Sequence, residues 1–219
     1  MSKIALAFSL LSLLNPFNYF GDNLSHQVKM GARINAESGK RLSKKYGMHP
    51  CGTSLQIHEE VEGLGLTFQY YKPIPNIDEA RKLLMTISKE HCDYLINSEE
   101  LKPYLKESFS LEDVSISLFI QNQDGSDVYH PLIGRASFYG NCAYFITDDK
   151  NNRYNKIAEI KEPRKYLLDI VEGRIPPPVY KEFSEGYEKN DNNDENDNND
   201  DAAVSMVLKE VTSRVKVCY

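Results

Sequence analysis

The hydrophobic pattern is clearest in the middle of the chain, where it predicts a helix from Ile77 to about Asn97. Its apolar positions recur at spacings of three and four residues, which places them on one face of a helix. These positions are Ala80, Leu83, Leu84, Ile87, His91, Tyr94 and Leu95. Asn76 precedes the first turn as a candidate N-cap. The helix dipole favours the acidic Asp78 and Glu79 that follow it.

Two stretches on either side of this helix have apolar residues at every second position, which is typical of half-buried strands. They are Leu64-Leu66-Phe68-Tyr70 and Val114-Ile116-Leu118-Ile120. Further strands are predicted near 134–139, 142–146 and 154–162, and Gly140-Asn141 is typical of a hairpin turn between the first two of these. An amphipathic helix buries its apolar stripe against such a sheet.

The remaining pattern predicts a helix within residues 24–46 that ends at Gly47, and another from Pro163 to Glu172. The segment 49–53 contains Pro50 and Gly52 and is predicted to be a turn. A short strand at Leu55–Ile57 and a strand ending at Tyr71 follow, with a break at Glu62-Gly63. The predicted fold is α+β: an antiparallel sheet of about four or five strands with helices packed on one face, forming a single domain over residues 23–174.

Both ends of the chain differ from this domain. Residues 1–22 carry one lysine, an apolar run from Ile4 to Leu14 and then Pro16, which predicts an export signal or a short membrane anchor, with an ordinary buried segment as the third alternative. An anchor would associate residues 4–20 with a membrane. Residues 175–203, first Pro-rich and then Asn/Asp-rich, are predicted to be a disordered linker. Residues 204–219 regain apolar positions and are predicted to form a short helix.

The net charge of -6 comes from one acidic run between Asp191 and Asp201, and without its six acids the acidic and basic residues balance. A balanced domain lacks the excess of positive charge that nucleic-acid binding requires, so no nucleic-acid partner is predicted. The run also fails the calcium-loop pattern, because Asn196 stands where glycine is needed and Ala202 where glutamate is needed.

The one catalytic hypothesis concerns Cys51. A cysteine nucleophile needs a nearby base to form the thiolate, and His49 and His58 are the candidates, with Glu59 or Glu60 orienting the imidazole. This arrangement predicts a thiol-dependent hydrolase or transferase. The alternative to a catalytic role is that Cys51 is a structural cysteine.

The chain has four cysteines, Cys51, Cys92, Cys142 and Cys218. An even number in an exported protein makes all four disulfide candidates, whereas Cys92 and Cys142 are also typical of small buried apolar residues. No pair of cysteines or histidines has the spacing of a zinc site. We therefore predict no metal and no cofactor.

Pro177-Pro178-Val179-Tyr180 matches the Pro-Pro-x-Tyr sequence that the aromatic-lined grooves of WW modules recognise. Pro177, Pro178 and Tyr180 are the candidate binding residues, and a plain linker is the alternative interpretation.

Several segments between residues 25 and 173 resemble an uncharacterised family of small α+β proteins from obligate intracellular bacteria. The segments are Leu66–Tyr70, Asp78–Leu84, Glu100–Leu105 and Ser117–Ile120. The resemblance implies an α+β fold built on these packing residues. The family has no assigned activity, so it implies no catalytic residue.

These observations leave three hypotheses of function. The first is a non-enzymatic exported or envelope-associated protein that binds a protein partner through a surface of the α+β domain. The second is the thiol-dependent enzyme with Cys51 as its nucleophile. The third is a secreted effector that presents Pro177, Pro178 and Tyr180 to a WW module of a host cell.

Overall fold

The computed structural model describes residues 26–74, 76–152, 155–178 and Tyr180. Within these residues the chain forms three α-helices and six strands, with short 3-10 turns at Lys102–Tyr104 and Leu111–Asp113. In chain order the elements are α1 (His26–Tyr46), β1 (Met48–Ile57), β2 (Val61–Tyr70), α2 (Ile77–Ile96), β3 (Val114–Ile120), β4 (Arg135–Tyr139), β5 (Cys142–Asp148), β6 (Lys156–Pro163) and α3 (Arg164–Val171).

The six strands form one sheet in the order in which they occur along the chain. Neighbouring strands are antiparallel, except that β2 and β3 are parallel. A parallel pair needs a long crossover connection, and α2 supplies it. The predicted α+β class is therefore confirmed, but the sheet has six strands rather than four or five and is not wholly antiparallel.

β1 is longer than predicted, because it includes both the short strand at Leu55–Ile57 and residues 49–53, which the sequence pattern assigned to a turn. Proline and glycine are tolerated here because β1 lies at the edge of the sheet, where a missing N–H costs no ladder hydrogen bond. The register shifts between Pro50 and Gly52, so Cys51 lies in a β-bulge. The break between the strands falls at residues 58–60 and not at Glu62-Gly63.

The core lies between the sheet and the helices. The stripe predicted on α2 is confirmed, since Ala80, Leu84, Ile87, His91 and Leu95 are buried and Leu83 and Tyr94 pack against them. Asn76 caps this helix by accepting a hydrogen bond from the Glu79 N–H at 2.9 Å. On β3 every second residue is buried, as the period of two predicted. On β2 Leu64, Leu66 and Phe68 are buried as predicted, but Tyr70 is only half-buried.

Charged and polar side chains are also buried between the helices and the sheet. Arg81 of α2 and Glu162 of β6 form an ion pair in which each side chain is about 1% exposed. His91 of α2 is fully buried, and its Nδ1 is hydrogen-bonded to the Ser38 hydroxyl of α1 at 2.8 Å. The first contact connects α2 to β6, and the second connects α2 to α1.

Packing continues past residue 174, where the sequence pattern placed the end of the domain, because Tyr180 contacts the core. Residues 1–22 and 204–219, with their predicted export signal or anchor and short helix, lie outside the described residues, as does the acidic part of the linker. No helix among the described residues is both long enough and apolar enough to span a membrane.

Candidate functional site

The candidate site is the side of the sheet that faces away from the three helices, which we call the open face. The strand register places two rows of side chains on it. One row contains Gln69, Phe119, Arg135, Ile146 and Glu159, and the other contains Thr67, Ser117, Ser137, Tyr144 and Lys161. No described element packs over these rows. The open face is therefore a polar sheet surface with aromatic side chains set into it.

Two aromatic side chains on the open face are unusually exposed. Phe119 is 45% exposed, and Tyr139, the last residue of β4, is 77% exposed. Their Cα atoms lie about 14 Å apart, because Tyr139 is four residues along β4 from Arg135, the partner of Phe119, and the two strands are about 5 Å apart. Among the described residues the other exposed large hydrophobic side chains are Ile157, on the edge strand β6, and Ile96, on α2. Exposed aromatic side chains on an uncovered sheet are typical of a protein-binding surface.

A cleft of about 490 Å³ lies at the Phe119 end of the open face. Its walls include Phe119 and Tyr129, while Cys51 of the edge strand and Gln69 lie at the side toward β1. This volume falls within the range of ligand-binding pockets and accommodates one large side chain of a partner.

The polar end of the cleft is fixed by the pair of Arg135 and Asp148. The Arg135 guanidinium donates to both Asp148 carboxylate oxygens, with Nη2–Oδ1 at 2.5 Å and Nε–Oδ2 at 3.3 Å. The Asp148 side chain is 15% exposed and that of Arg135 is 37% exposed. Both charges are therefore paired already, and Arg135 still has an accessible edge toward the cleft. Gly134 beside them has no side chain, and a Cβ there would lie 3.0 Å from Asp148 Oδ2.

The structure does not assemble the predicted catalytic group around Cys51. His58 follows the far end of β1, about 20 Å away along the strand, where its Nδ1 lies 2.9 Å from Glu62 Oε2. Glu59 and Glu60 are in the same bend. His49 is two residues from Cys51, and its ring packs edge-on against Tyr71 with the centroids 5.4 Å apart. Burial raises the pKa of the Cys51 thiol, which is the opposite of what a nucleophile needs.

The cysteines that the sequence offered as disulfide candidates are not all in the same oxidation state. Cys51 is an exposed free thiol and Cys92 is a buried free thiol. Cys142, buried at the start of β5, is disulfide-bonded. Cys218 lies outside the described residues. Burial, with smaller effects from Asp93 and Asp113, raises the pKa of Cys92 to about 11. Among the described residues no cluster of three or more metal-ligating side chains occurs.

Native alkylation is expected to separate the two free thiols. With iodoacetamide at pH 7.5, Cys51 reacts no faster than free cysteine and Cys92 does not react until the protein is denatured, since it is buried and carries almost no thiolate. Peptide mapping by mass spectrometry measures both rates, and a Cys51→Ser variant assigns the first label. A Cys51 that reacts tenfold faster than free cysteine would support the hypothesis of a thiol-dependent enzyme.

Of the three predicted WW-binding residues, Pro177 is exposed and Pro178 is half-buried, while Tyr180 packs against the domain. The Tyr180 hydroxyl donates a hydrogen bond to Glu162 Oε1 at 3.0 Å. The hydrophobic pattern gave no reason to connect a linker tyrosine with Arg81 and Glu162. One signal was present, because Glu162 continues the period-two positions of buried Ile160 on β6.

The open face itself was not identified from the sequence. The signal for it lay in β3 and β4, where Phe119 follows Ser117 and Tyr139 follows Ser137 at the positions that point away from the core. Comparison with known protein families, with curated proteins and with solved structures found no match to this chain. The resemblance to a family of small α+β proteins from obligate intracellular bacteria therefore stays a prediction.

Proposed function

We propose that this protein is not an enzyme and acts by binding another protein through the open face of its sheet. The observation that supports this most strongly is the distribution of helices. All three described helices contribute to one core on one side of the sheet, so a six-stranded surface with exposed Phe119 and Tyr139 is left without a cover among the described elements. Antiparallel sheets tolerate one solvated face, but that face is usually polar throughout.

The cleft adds a specific feature to this surface. A partner that places one apolar or aromatic side chain between Phe119 and Tyr129 would bury both rings, and its backbone or a carboxylate could accept from the exposed edge of Arg135. Aromatic and arginine side chains at the centre of a contact contribute most to the affinity of protein interfaces. The serine and threonine row beside the cleft suits a polar rim.

Export is the second part of the proposal. It rests on the sequence from Ile4 to Leu14, which lies outside the described residues. An exported protein with this surface would act at the bacterial envelope or beyond it. The partner is a protein, and the balanced charge of the domain gives no support for nucleic acid.

Co-purification from the native cells tests the binding surface. We expect the double variant Phe119→Ser/Tyr139→Ser to lose at least 90% of a partner that the wild-type chain retains, because two central anchors are removed. Ile96→Ser is the matched control, since Ile96 is also exposed but lies on α2. Circular dichroism shows that the variants are folded. Equal loss in both variants, or no loss in either, would contradict the proposal.

A further inference from the structure

Tyr180 follows a proline run and belongs to the one sequence in this chain that matches a peptide-recognition pattern, yet its side chain is docked on the folded domain. The docking site is built from two elements. Arg81 lies on α2 and Glu162 lies on β6. Gly173 ends the last helix, and hydrogen bonds from the Arg174 and Ile175 N–H groups to the Asp169 carbonyl fix the start of the segment that leads to Tyr180.

The site recognises the phenol through both its ring and its hydroxyl. The Tyr180 ring lies over Arg81, with its centroid 5.5 Å from the guanidinium carbon, which is within the range of a cation–π contact. The hydroxyl donates to Glu162 Oε1 at 3.0 Å. Burial first, and then the Glu162 carboxylate, raises the pKa of the Tyr180 phenol, so the docked side chain is neutral and remains a donor.

The pair beneath the ring is complete without Tyr180. Arg81 donates to both oxygens of Glu162, with Nε–Oε2 at 3.0 Å and Nη2–Oε1 at 2.5 Å, and its Nη1 lies 2.5 Å from Asp78 Oδ1. Departure of Tyr180 would therefore remove one hydrogen bond and one ring contact, and it would leave no buried charge unpaired. The ion pair therefore has all of its own contacts whether or not Tyr180 is docked.

We propose that Arg81 and Glu162 form an intramolecular docking site for Tyr180, and that this docking withholds Pro177, Pro178 and Tyr180 from WW-type modules. A WW module binds the tyrosine ring of its ligand in an aromatic-lined groove. The same ring cannot lie on Arg81 and in that groove at once. A module must therefore compete with the docking site, and its apparent affinity is its intrinsic affinity multiplied by the fraction of molecules in which Tyr180 is released.

Affinity measurements with a panel of WW modules that bind Pro-Pro-x-Tyr peptides test the masking. We expect a synthetic peptide of residues 173–184 to bind at least tenfold more tightly than the full chain. The variant Glu162→Gln, which weakens the acceptor of the phenol, is expected to bring the full chain to within about threefold of the peptide. Glu107→Gln is the control, because Glu107 is an exposed glutamate in the loop before β3 and its replacement is expected to change nothing. Equal affinities for peptide and wild-type chain, or a peptide that no module binds, would overturn the proposal.

Nitration by tetranitromethane tests the dock without any variant, so the proposal does not depend on Glu162→Gln being folded. The reagent attacks the phenolate, and Tyr139, which is 77% exposed, is the internal reference. We expect Tyr180 in the native full chain to be nitrated at least tenfold more slowly than Tyr139, and the two rates to become similar in denaturant. Equal rates in the native chain would overturn the docking of Tyr180.

Discussion

Replacement of Glu162 with alanine is expected to lower the free energy of unfolding by about 3–5 kcal/mol, because it leaves the Arg81 guanidinium buried without its main counter-ion. Arg81 is fully buried, and Asp78, its second partner, is half exposed and offers a single oxygen contact. The hydrogen bond that holds Tyr180 is lost in the same variant. Few single substitutions in a domain of this size have a larger effect.

Urea denaturation followed by circular dichroism measures this loss, and Glu159→Ala is its control. Glu159 lies three residues earlier on β6 and forms an ion pair with Lys156, in which the side chains are 32% and 49% exposed. A solvent-exposed pair of this kind contributes about 0–1 kcal/mol. Similar losses in the two variants would mean that Arg81 and Glu162 are not a buried pair in solution.

His91 is expected to make the domain sensitive to acid, so that the domain loses stability at pH values above those at which its carboxylates are protonated. Burial, together with the nearby positive charge of Arg41, lowers the pKa of His91 from 6.5 to about 3. The folded state therefore holds His91 neutral while the unfolded chain binds a proton below pH 6.5. The contribution of neutral His91 to the free energy of unfolding is fully present above pH 6.5 and is lost as the pH falls. The loss is about 2 kcal/mol at pH 5 and roughly 5 kcal/mol once the pH is below 3.

Urea denaturation at pH 7 and pH 5 measures this effect, with His91→Gln as the comparison. The glutamine variant is less stable at both pH values, because it loses the ring packed between α1 and α2 and its contact with Ser38. Glutamine does not bind a proton, however. Between pH 7 and pH 5 the free energy of unfolding of this variant is therefore expected to fall by about 2 kcal/mol less than that of the wild type. Parallel changes in the two proteins would show that His91 is accessible to protons in the folded state.

The part of the fold that follows from local pattern was predictable. The stripe on α2, the period of two in β2 and β3, and the Gly140-Asn141 hairpin each depend on neighbours in sequence, and all are present in the structure. Gly140 has φ of 55°, a conformation that glycine adopts without strain. Residues 49–53 of β1 were assigned to a turn because Pro50 and Gly52 are rare in strands, and only the position at the sheet edge makes them acceptable.

The candidate sites depend on contacts between residues that are far apart in the sequence, and the hydrophobic periodicity of single elements does not predict such contacts. Arg81 is next to buried Ala80 on α2, yet an arginine is assigned to the surface unless its partner is known, and Glu162 is 81 residues away. Tyr180 belongs to a proline-rich segment whose composition is that of a linker. The open face was missed for a related reason, since the packing of the helices decides which side of each strand faces the core.

Site-specific photo-crosslinking tests most directly whether the open face binds a protein. A benzophenone amino acid is placed at position 139 in one protein and at position 96 in another, and both are irradiated in the native cells. We expect position 139 to give one discrete adduct with another protein, which Phe119→Ser abolishes, and position 96 to give none. No adduct from position 139, the same adduct from both positions, or an adduct with the mass of two copies of this chain would contradict the proposed function.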